Sequence, residues 1–286
     1  MMKILALPLT KARFFVFIIL AAFLPSALHA QYYYNDIVCA RQAQEAYSAL
    51  LTGRVNLVTA TCFDENNEQN PDFIYRRSIA QNGSRVETIL HLPSSDTIYT
   101  TNIYADKMLQ SATDSNGTVI TKTSYRYNSD GSIAAIQIET NDNAAEMHNE
   151  EVHLWFYTGG KPEKMLRIKD KTDTTVVSFI QDEYGNPGEE IWRKRNRIIE
   201  HYYYYCNNSN QLTDIVRYNE IARQLLPDFL FEYSPSGTVA TLTQVPQGSS
   251  DYIVWRYEYN SAGLKTSDVL YNKQKEIIGR IIYSYQ

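Results

Sequence analysis

The sequence contains few of the residues that build enzyme centres. Only three cysteines and five histidines occur in 286 residues, and no Cys-x-x-Cys or Cys/His metal-ligand spacing is present. His148 and His153 lie five positions apart, whereas a helical zinc pair needs a separation of four. In a strand, that spacing places the two rings on opposite faces. The chain also has no Gly-x-Ser-x-Gly elbow and no phosphate-binding loop, so we expect no enzyme activity, cofactor or metal.

A strong excess of positive charge is also missing. The formal net charge is −5 and the sequence pI is about 5.6, so the chain has no basic surface of the kind that binds nucleic acid. The one basic run, residues 193–197, follows Glu189 and Glu190 and precedes Glu200. We therefore interpret it as a solvent-facing strand or turn and expect no nucleic-acid partner.

The only long apolar run lies at the N-terminus. Lys3, Lys11 and Arg13 precede an uncharged stretch at residues 14–24, and small residues lead to Ala30. This layout predicts a secretory signal peptide over residues 1–30. A membrane anchor is the alternative, but a run of 11 residues is shorter than the ~20 that span a bilayer. We expect an exported chain that begins at Gln31, without a transmembrane anchor, in the periplasm, at the cell surface or outside the cell.

The three cysteines do not define a disulfide framework. Cys39, Cys62 and Cys206 are an odd number, so at least one thiol is unpaired within the chain. Cys39 and Cys62 could form one disulfide, or both could be free buried thiols. Cys206 occupies an aromatic position of the repeat described next, which favours a core role.

The most informative feature is a repeated aromatic-turn unit. Residues 125–131, 231–237 and 257–263 each place two aromatic side chains six and four positions before a glycine. Residues two apart share one face of a strand. An Asn, Asp or Ser three positions before the glycine suits the first position of a type I turn, whose side chain bonds back to the backbone. Each unit therefore predicts a strand, a tight turn and a second strand.

Eight such units follow one another at intervals of 24 to 29 residues. An interval near 25 accommodates one hairpin of two short strands, so the eight units predict about sixteen strands. The anchor positions of the units are Gly83, Lys107, Gly131, Gly160, Gly185, Asn210, Gly237 and Gly263.

The repeat resembles the YD repeat of Rhs-like secreted bacterial proteins, whose unit reads roughly Tyr-x-Tyr-Asp-x-x-Gly-x-Leu. Tyr257, Tyr259, Asn260, Gly263 and Leu264 follow this order, with the leucine one position early. The resemblance covers residues 125–286, and the family's aspartate is mostly Asn or Ser here. It implies a β-hairpin repeat and an envelope setting. It does not imply a toxin or a shell. A mature start at Gln31 resembles that of envelope proteins of some Gram-negative bacteria.

One helix is predicted before the repeat. Residues 36–51 place apolar side chains at helical spacing, Asp36 can cap the start, and Gly53 can end the helix. We divide the exported chain into residues 31–71, a capping segment with the helix and first strand, and residues 72–286, the hairpin array. A helix in this position would cover an end or edge of the sheet. A second short element, helix or strand, is predicted over residues 220–226.

The predicted fold is all-β: an antiparallel meander of about eight hairpin repeats that forms a long twisted or curling sheet. Exposed aromatic side chains would be its binding surface, although cross-strand packing explains most aromatic pairs equally well. A run of four tyrosines at residues 202–205 must send two to each face. The candidate binding aromatics are Trp155, Tyr157, Tyr203, Tyr205, Trp255, Tyr257 and Tyr259.

Three functions remain open. The first is an envelope interaction protein that binds an unknown protein or glycan partner through the sheet. The second is a glycan-binding or polysaccharide-acting protein, for which no pair of the scattered carboxylates stands out as acid and base. The third is an outer-membrane β-barrel. Charges on both faces of residues 189–197 disfavour this third reading.

Overall fold

The computed structural model describes residues 31–80, 82–93, 95–219, 223–246 and 251–286. The predicted signal peptide lies outside the described residues, as do residues 220–222 of the second short element. Residues 224–226 of that element belong to a strand.

Eighteen antiparallel strands form one sheet in which every strand pairs with its neighbours in sequence. β1 pairs with β2 on one side and with β18 on the other, so the sheet closes into a barrel. The strands are β1 (Leu57–Phe63), β2 (Ile74–Ile79), β3 (Arg85–His91), β4 (Ile98–Ala105), β5 (Met108–Asn116), β6 (Val119–Tyr127), β7 (Ile133–Asp142), β8 (Met147–Thr158), β9 (Lys161–Lys169), β10 (Asp173–Gln181), β11 (Pro187–Lys194), β12 (Arg197–Cys206), β13 (Leu212–Asn219), β14 (Gln224–Tyr233), β15 (Val239–Gln244), β16 (Ile253–Tyr259), β17 (Lys265–Tyr271) and β18 (Ile277–Tyr285).

The observed sheet is closed, unlike the predicted one. The antiparallel meander with one N-terminal helical segment is confirmed, but the twisted or curling sheet of about eight hairpins is wrong. The sequence pattern counts sixteen strands because β1 and β18 lack an anchored turn of their own. These two strands pair from Val58 opposite Tyr285 to Phe63 opposite Arg280. Their pairing removes both sheet edges, which an open sheet would have to protect.

All eight anchor positions lie at one end of the barrel, which we call the glycine end. Each has a positive φ, from 57° at Asn210 to 85° at Gly131 and Gly237. The Gly131 N–H donates to the Asn128 carbonyl at 3.0 Å, and the Asn128 N–H donates to the Ser132 carbonyl at 2.8 Å. The same two bonds recur in the turns that begin at Asp182, Asn207, Ser234 and Asn260. The predicted turn geometry is therefore confirmed.

The second aromatic of several units also links neighbouring hairpins. Tyr127 Oη donates to the Leu109 carbonyl at 2.7 Å, a residue that directly follows the previous anchored turn. At the unit of Gly185 a glutamine replaces the tyrosine, and Gln181 Nε2 donates to the Pro162 carbonyl at 3.2 Å. The corresponding tyrosine bonds are Tyr157 to Ile133, Tyr233 to Leu212, Tyr259 to Val239 and Tyr285 to Lys265. A phenylalanine could pack at these positions but could not make this bond.

The helical segment is longer than the predicted helix and begins differently. Residues Tyr33–Val38 form a π-helical turn that continues into helix α1 (Cys39–Thr52). Asp36 is not a cap, because it lies inside the helical segment and is buried. Helix α1 lies at the glycine end, where Tyr47 Oη donates to the Gly83 carbonyl and Gln44 Nε2 lies 3.4 Å from Tyr127 Oη. The predicted covering of an end is consistent with this position.

The inward face of the barrel is packed with apolar and aromatic side chains. One cluster joins helix α1 to β1–β5, to β18 and to Leu264 just before β17, and includes Tyr47, Tyr75 and Leu90. The other joins residues 32–40 to β7–β14, and includes Trp192 and Tyr204. Cys39, Cys62 and Cys206 are all free thiols, so the Cys39–Cys62 disulfide is absent from the structure.

Candidate functional site

Five of the seven candidate binding aromatics face inward. Trp155 is 4% exposed and Trp255 is 1% exposed, and Tyr257 follows Trp255 on the same face, with its ring stacked 6.5 Å away. The Tyr157 and Tyr259 hydroxyls make the inter-hairpin bonds described above. These five side chains pack the interior in the closed barrel, and an external ligand would not reach the two tryptophans.

Tyr203 and Tyr205 face outward, and Tyr202 and Tyr204 face inward. The predicted division of the four tyrosines, two to each face, is confirmed by the burial of Tyr202 and Tyr204. The Tyr203 ring stacks on His201 at 4.3 Å between ring centroids. His201 Nε2 lies 2.8 Å from Glu189 Oε2 on the neighbouring strand, which fixes the imidazole beside the tyrosine. This arrangement holds the Tyr203 ring in place.

Other exposed aromatic and apolar side chains lie on the outer face of β8 and β10 and in the turn between β10 and β11. Tyr205 is 47% exposed, and Tyr184, in the turn between β10 and β11, is 74% exposed. Ile180 on β10 and Phe156 on β8 are also exposed, and Lys164 Nζ lies 4.7 Å from the centroid of the Phe156 ring. All of them lie toward the glycine end. We call Phe156, Ile180, Tyr184, Tyr203 and Tyr205 the outer aromatic patch.

A buried acid inside the barrel binds the backbone of the N-terminal segment. Glu190 is fully buried and accepts the Tyr32 N–H at 2.8 Å and the Tyr33 N–H at 3.0 Å. Tyr204 Oη donates to it at 2.6 Å, and Trp192 Nε1 also donates. Burial raises the pKa of the Glu190 carboxyl, although these four hydrogen bonds oppose the shift.

Aromatic side chains hold the same segment on both sides of Glu190. The Tyr32 ring stacks on Trp192 at 4.4 Å. The Tyr33 ring meets Tyr204 edge-on at 5.3 Å, and the Tyr34 ring lies 5.3 Å from Phe229. Such pairs add to the free energy of burial of each ring. The three consecutive tyrosines are therefore internal packing residues, and no ligand is needed to explain them.

An ionic network anchors the end of the π-helical turn. His153 Nδ1 lies 2.7 Å from Asp36 Oδ2, and its Nε2 lies 2.7 Å from Glu151 Oε1. Arg167 also pairs with Glu151 at 2.7 Å, and Trp155 Nε1 donates to Asp36 at 3.0 Å. Burial opposes the charged imidazole, but Asp36 and Glu151 raise the pKa of His153 to about 9. Burial likewise opposes the charged carboxylate, but His153 and Arg167 lower the pKa of Glu151 to about 2.

The buried carboxylates do not form an open acid–base cleft. Asp228 pairs with Arg217 at 3.0 Å and accepts the Gln31 amide at 2.7 Å. Asp228 and Glu190 contact the chain's own N-terminal segment, and Asp36 belongs to it, so that segment occupies the space beside these acids. Across the described ranges, no group of three or more His, Cys, Asp or Glu side chains could hold a metal ion.

Comparisons with known proteins find only slight similarity. A porin-like protein from Bacteroides uniformis matches with a TM-score of 0.38 and 9% identity, over 81% of this chain and 98% of that chain. A porin-like protein from Bacteroides vulgatus matches over the same shares with a TM-score of 0.26 and 11% identity. The Photorhabdus luminescens Tc holotoxin pore matches with a TM-score of 0.33 and 10% identity, over 75% of this chain and 12% of that chain. At these scores the similarity supports no conclusion about function.

Comparison of the sequence with known proteins identifies no family for this chain. No protein-family model matches the chain, and no curated protein matches it. No helix among the described residues is long and apolar enough to cross a membrane. The function therefore has to be argued from the two faces of the barrel.

Sequence reasoning missed the internal site around Glu190. The signal was present, because Glu190 and Trp192 alternate with outward residues on one strand, as Tyr202 and Tyr204 do on the next. A glutamate on a face that otherwise carries aromatic residues predicts a buried, hydrogen-bonded acid. The sequence does not predict the backbone partners of Glu190, because the Tyr32 and Tyr33 N–H groups lie more than 150 residues away in sequence.

Proposed function

We propose that the chain is an exported cell-envelope interaction protein that binds its partner through the outer aromatic patch. The observation that carries this proposal is the division of the barrel into a packed interior and an outer face with exposed tyrosines. A rigid closed sheet that holds Tyr203 and Tyr205 in fixed positions provides pre-organised contact area. Tyrosine contributes binding energy at a low cost in side-chain entropy.

The outward charges support a water-facing barrel. Arg76 on β2, Glu87 on β3 and Lys122 on β6 point outward near the middle of their strands. A lipid-facing barrel needs a continuous apolar band about 25 Å tall. Charged side chains at these positions interrupt such a band, so a soluble or surface-associated role is favoured by this geometry.

The experiment compares two matched tyrosine variants of the exported protein. Wild type, Tyr203→Ala/Tyr205→Ala and Tyr99→Ala are tested against a glycan array and in pull-downs from an envelope fraction. Tyr99 is a suitable control because it also faces outward, on β4, and is 54% exposed. We expect wild type and Tyr99→Ala to retain the same ligand, and the double variant to lose at least about tenfold in affinity, as for a pair of hot-spot residues. Equal binding by all three proteins would contradict the proposal.

A second candidate function is an outer-membrane barrel. The observation that favours it is the closure of an even number of antiparallel strands, which is the topology of bacterial outer-membrane barrels. Fractionation separates the two candidates. Recovery of the exported protein in the detergent-soluble membrane fraction, resistant to carbonate extraction, would favour the membrane barrel over the interaction protein.

A further inference from the structure

The N-terminal segment lies among inward carboxylates, and one of them has no cationic partner. His153 pairs with Asp36 and Glu151, Arg167 pairs with Glu151, and Arg217 pairs with Asp228. Among the described residues, no Lys, Arg or His forms a salt bridge with Glu190, although it is fully buried.

A buried carboxylate without a cation is costly. Its ionised form loses hydration, and hydrogen bonds from neutral groups repay only part of that loss. The raised pKa of Glu190 expresses the same cost. A positive charge beside Glu190 would stabilise its ionised form.

The backbone nitrogen of Gln31 directly precedes the two backbone nitrogens that bind Glu190. The next two backbone N–H groups, of Tyr32 and Tyr33, both donate to Glu190. Gln31 itself is 0% exposed, and its side-chain amide is bound to Asp228. The first described residue is thus fixed inside the barrel between two acids.

We infer that Gln31 is the first residue of the mature protein and that its α-ammonium group is the missing cation, paired with Glu190 inside the barrel. An envelope protease hydrolyses the Ala30–Gln31 peptide bond. Water supplies the hydroxyl of the Ala30 carboxylate and the proton of the Gln31 amine, which is then protonated. Cleavage therefore creates the charge that fixes the N-terminal segment in the interior. The inference rests on export of the chain, and it does not depend on any ligand of the outer aromatic patch.

The first test examines the N-terminus of the protein made from the full-length gene in a Gram-negative host. Intact mass and N-terminal sequencing of the exported protein should give a chain that begins at Gln31 with a free amine. An amine-selective reagent at neutral pH should modify that α-amine at least about tenfold more slowly in the folded than in the denatured protein, because buried groups react only after local opening. A different first residue, a mass lower by one ammonia, or equal labelling in both states would overturn the inference.

The second test uses Glu190→Gln, with Glu189→Gln as the matched control. Glu189 is the neighbouring acid on β11, but it faces outward and contacts His201. We expect the α-amine of folded Glu190→Gln to be labelled several-fold faster than that of wild type, and that of Glu189→Gln to be labelled at the wild-type rate. Equal protection in the two variants would overturn the pairing with Glu190. If Glu190→Gln does not fold, Glu190→Asp, which keeps the charge on a shorter side chain, replaces it, and protection equal to that of Glu189→Gln would overturn the pairing.

Neither result depends on the proposed function. Loss of ligand binding by Tyr203→Ala/Tyr205→Ala concerns the outer face, whereas protection of the α-amine concerns the interior. A protein with a protected terminus and no ligand would retain the inference and refute the interaction role.

Discussion

The tyrosine hydroxyls that join successive hairpins can be tested one bond at a time. Tyr233 Oη donates to the Leu212 carbonyl at 2.7 Å, and Leu212 is buried. Tyr233→Phe keeps the ring and removes only the donor. A hydrogen bond of this kind contributes about 1 kcal/mol, and leaving its acceptor buried without a partner costs about 1–3 kcal/mol. We therefore expect Tyr233→Phe to lower the free energy of unfolding by about 1–2 kcal/mol.

The assay is denaturant unfolding followed by tyrosine and tryptophan fluorescence, with thermal unfolding alongside. A loss of 1 kcal/mol corresponds to a lower Tm of roughly 2–4 °C for a domain of this size. Tyr205→Phe is the control, because Tyr205 lies on the neighbouring unit but faces outward and is exposed. Each variant removes one tyrosine hydroxyl oxygen. The difference between their free energies of unfolding therefore gives the contribution of the inward hydrogen bond of Tyr233.

A combined variant strengthens the test. Tyr127, Tyr157, Tyr233 and Tyr259 make the same bond on four different pairs of strands. Effects at separate sites add, so the fourfold Tyr→Phe variant should lose about 4 kcal/mol or more. A fourfold variant as stable as wild type, or a Tyr205→Phe effect equal to that of Tyr233→Phe, would refute the reasoning.

Three further predictions concern pH, the turns and the interior. Because the folded pKa of His153 is about 9 and its ordinary value is 6.5, its ion pairs stabilise the fold fully below pH 6.5 and are lost as the pH rises through 9. The free energy of unfolding measured across this range should fall more steeply for wild type than for His153→Gln, and equal slopes would contradict the prediction. Lys107 has a φ of 65° and Gly263 a φ of 76°. Denaturant titrations should therefore show a higher free energy of unfolding for Lys107→Gly and a lower one for Gly263→Ala, each by roughly 0.5–1 kcal/mol. Changes of the opposite sign would contradict the turn geometry. Trp192→Ala removes the ring that stacks on Tyr32, and it should cost about 3–5 kcal/mol and speed hydrogen exchange at the Tyr32 and Tyr33 amides, whereas unchanged exchange would show that Trp192 does not hold the segment.

The local pattern of the sequence predicts the hairpins but not their closure. Asn128 and Gly131 determine a turn through contacts within five residues, and such contacts can be recognised from spacing. The pairing of β1 with β18 joins Val58 to Tyr285, and nothing in either strand marks the other as its partner. Both strands carry inward apolar residues like every other strand, so periodicity does not distinguish an edge from a closed seam.

The candidate binding residues were also predictable only in their local pattern. Alternation placed two of the four tyrosines at residues 202–205 on each face, and Tyr203 and Tyr205 are outward. Alternation alone does not say which face is covered. The sequence therefore allows Trp155 and Trp255 to be exposed binding residues, whereas in the closed barrel both are buried inside. The role assigned to Asp36 as a cap failed for a related reason, because its partners His153 and Trp155 lie on a strand more than 100 residues away.

The seam between β1 and β18 also sets the order in which the protein folds. The chain emerges from β1 onward, so β18 becomes available only after the seventeen strands before it. Until then β1 presents an unpaired edge, and a contact between residues 58 and 285 demands closure of nearly the whole chain. Topologies rich in such distant pairings fold slowly and expose strand edges to other chains. A circular permutant that joins β18 to β1 would therefore not remove this distant pairing, because its own first and last strands would have to form a new seam.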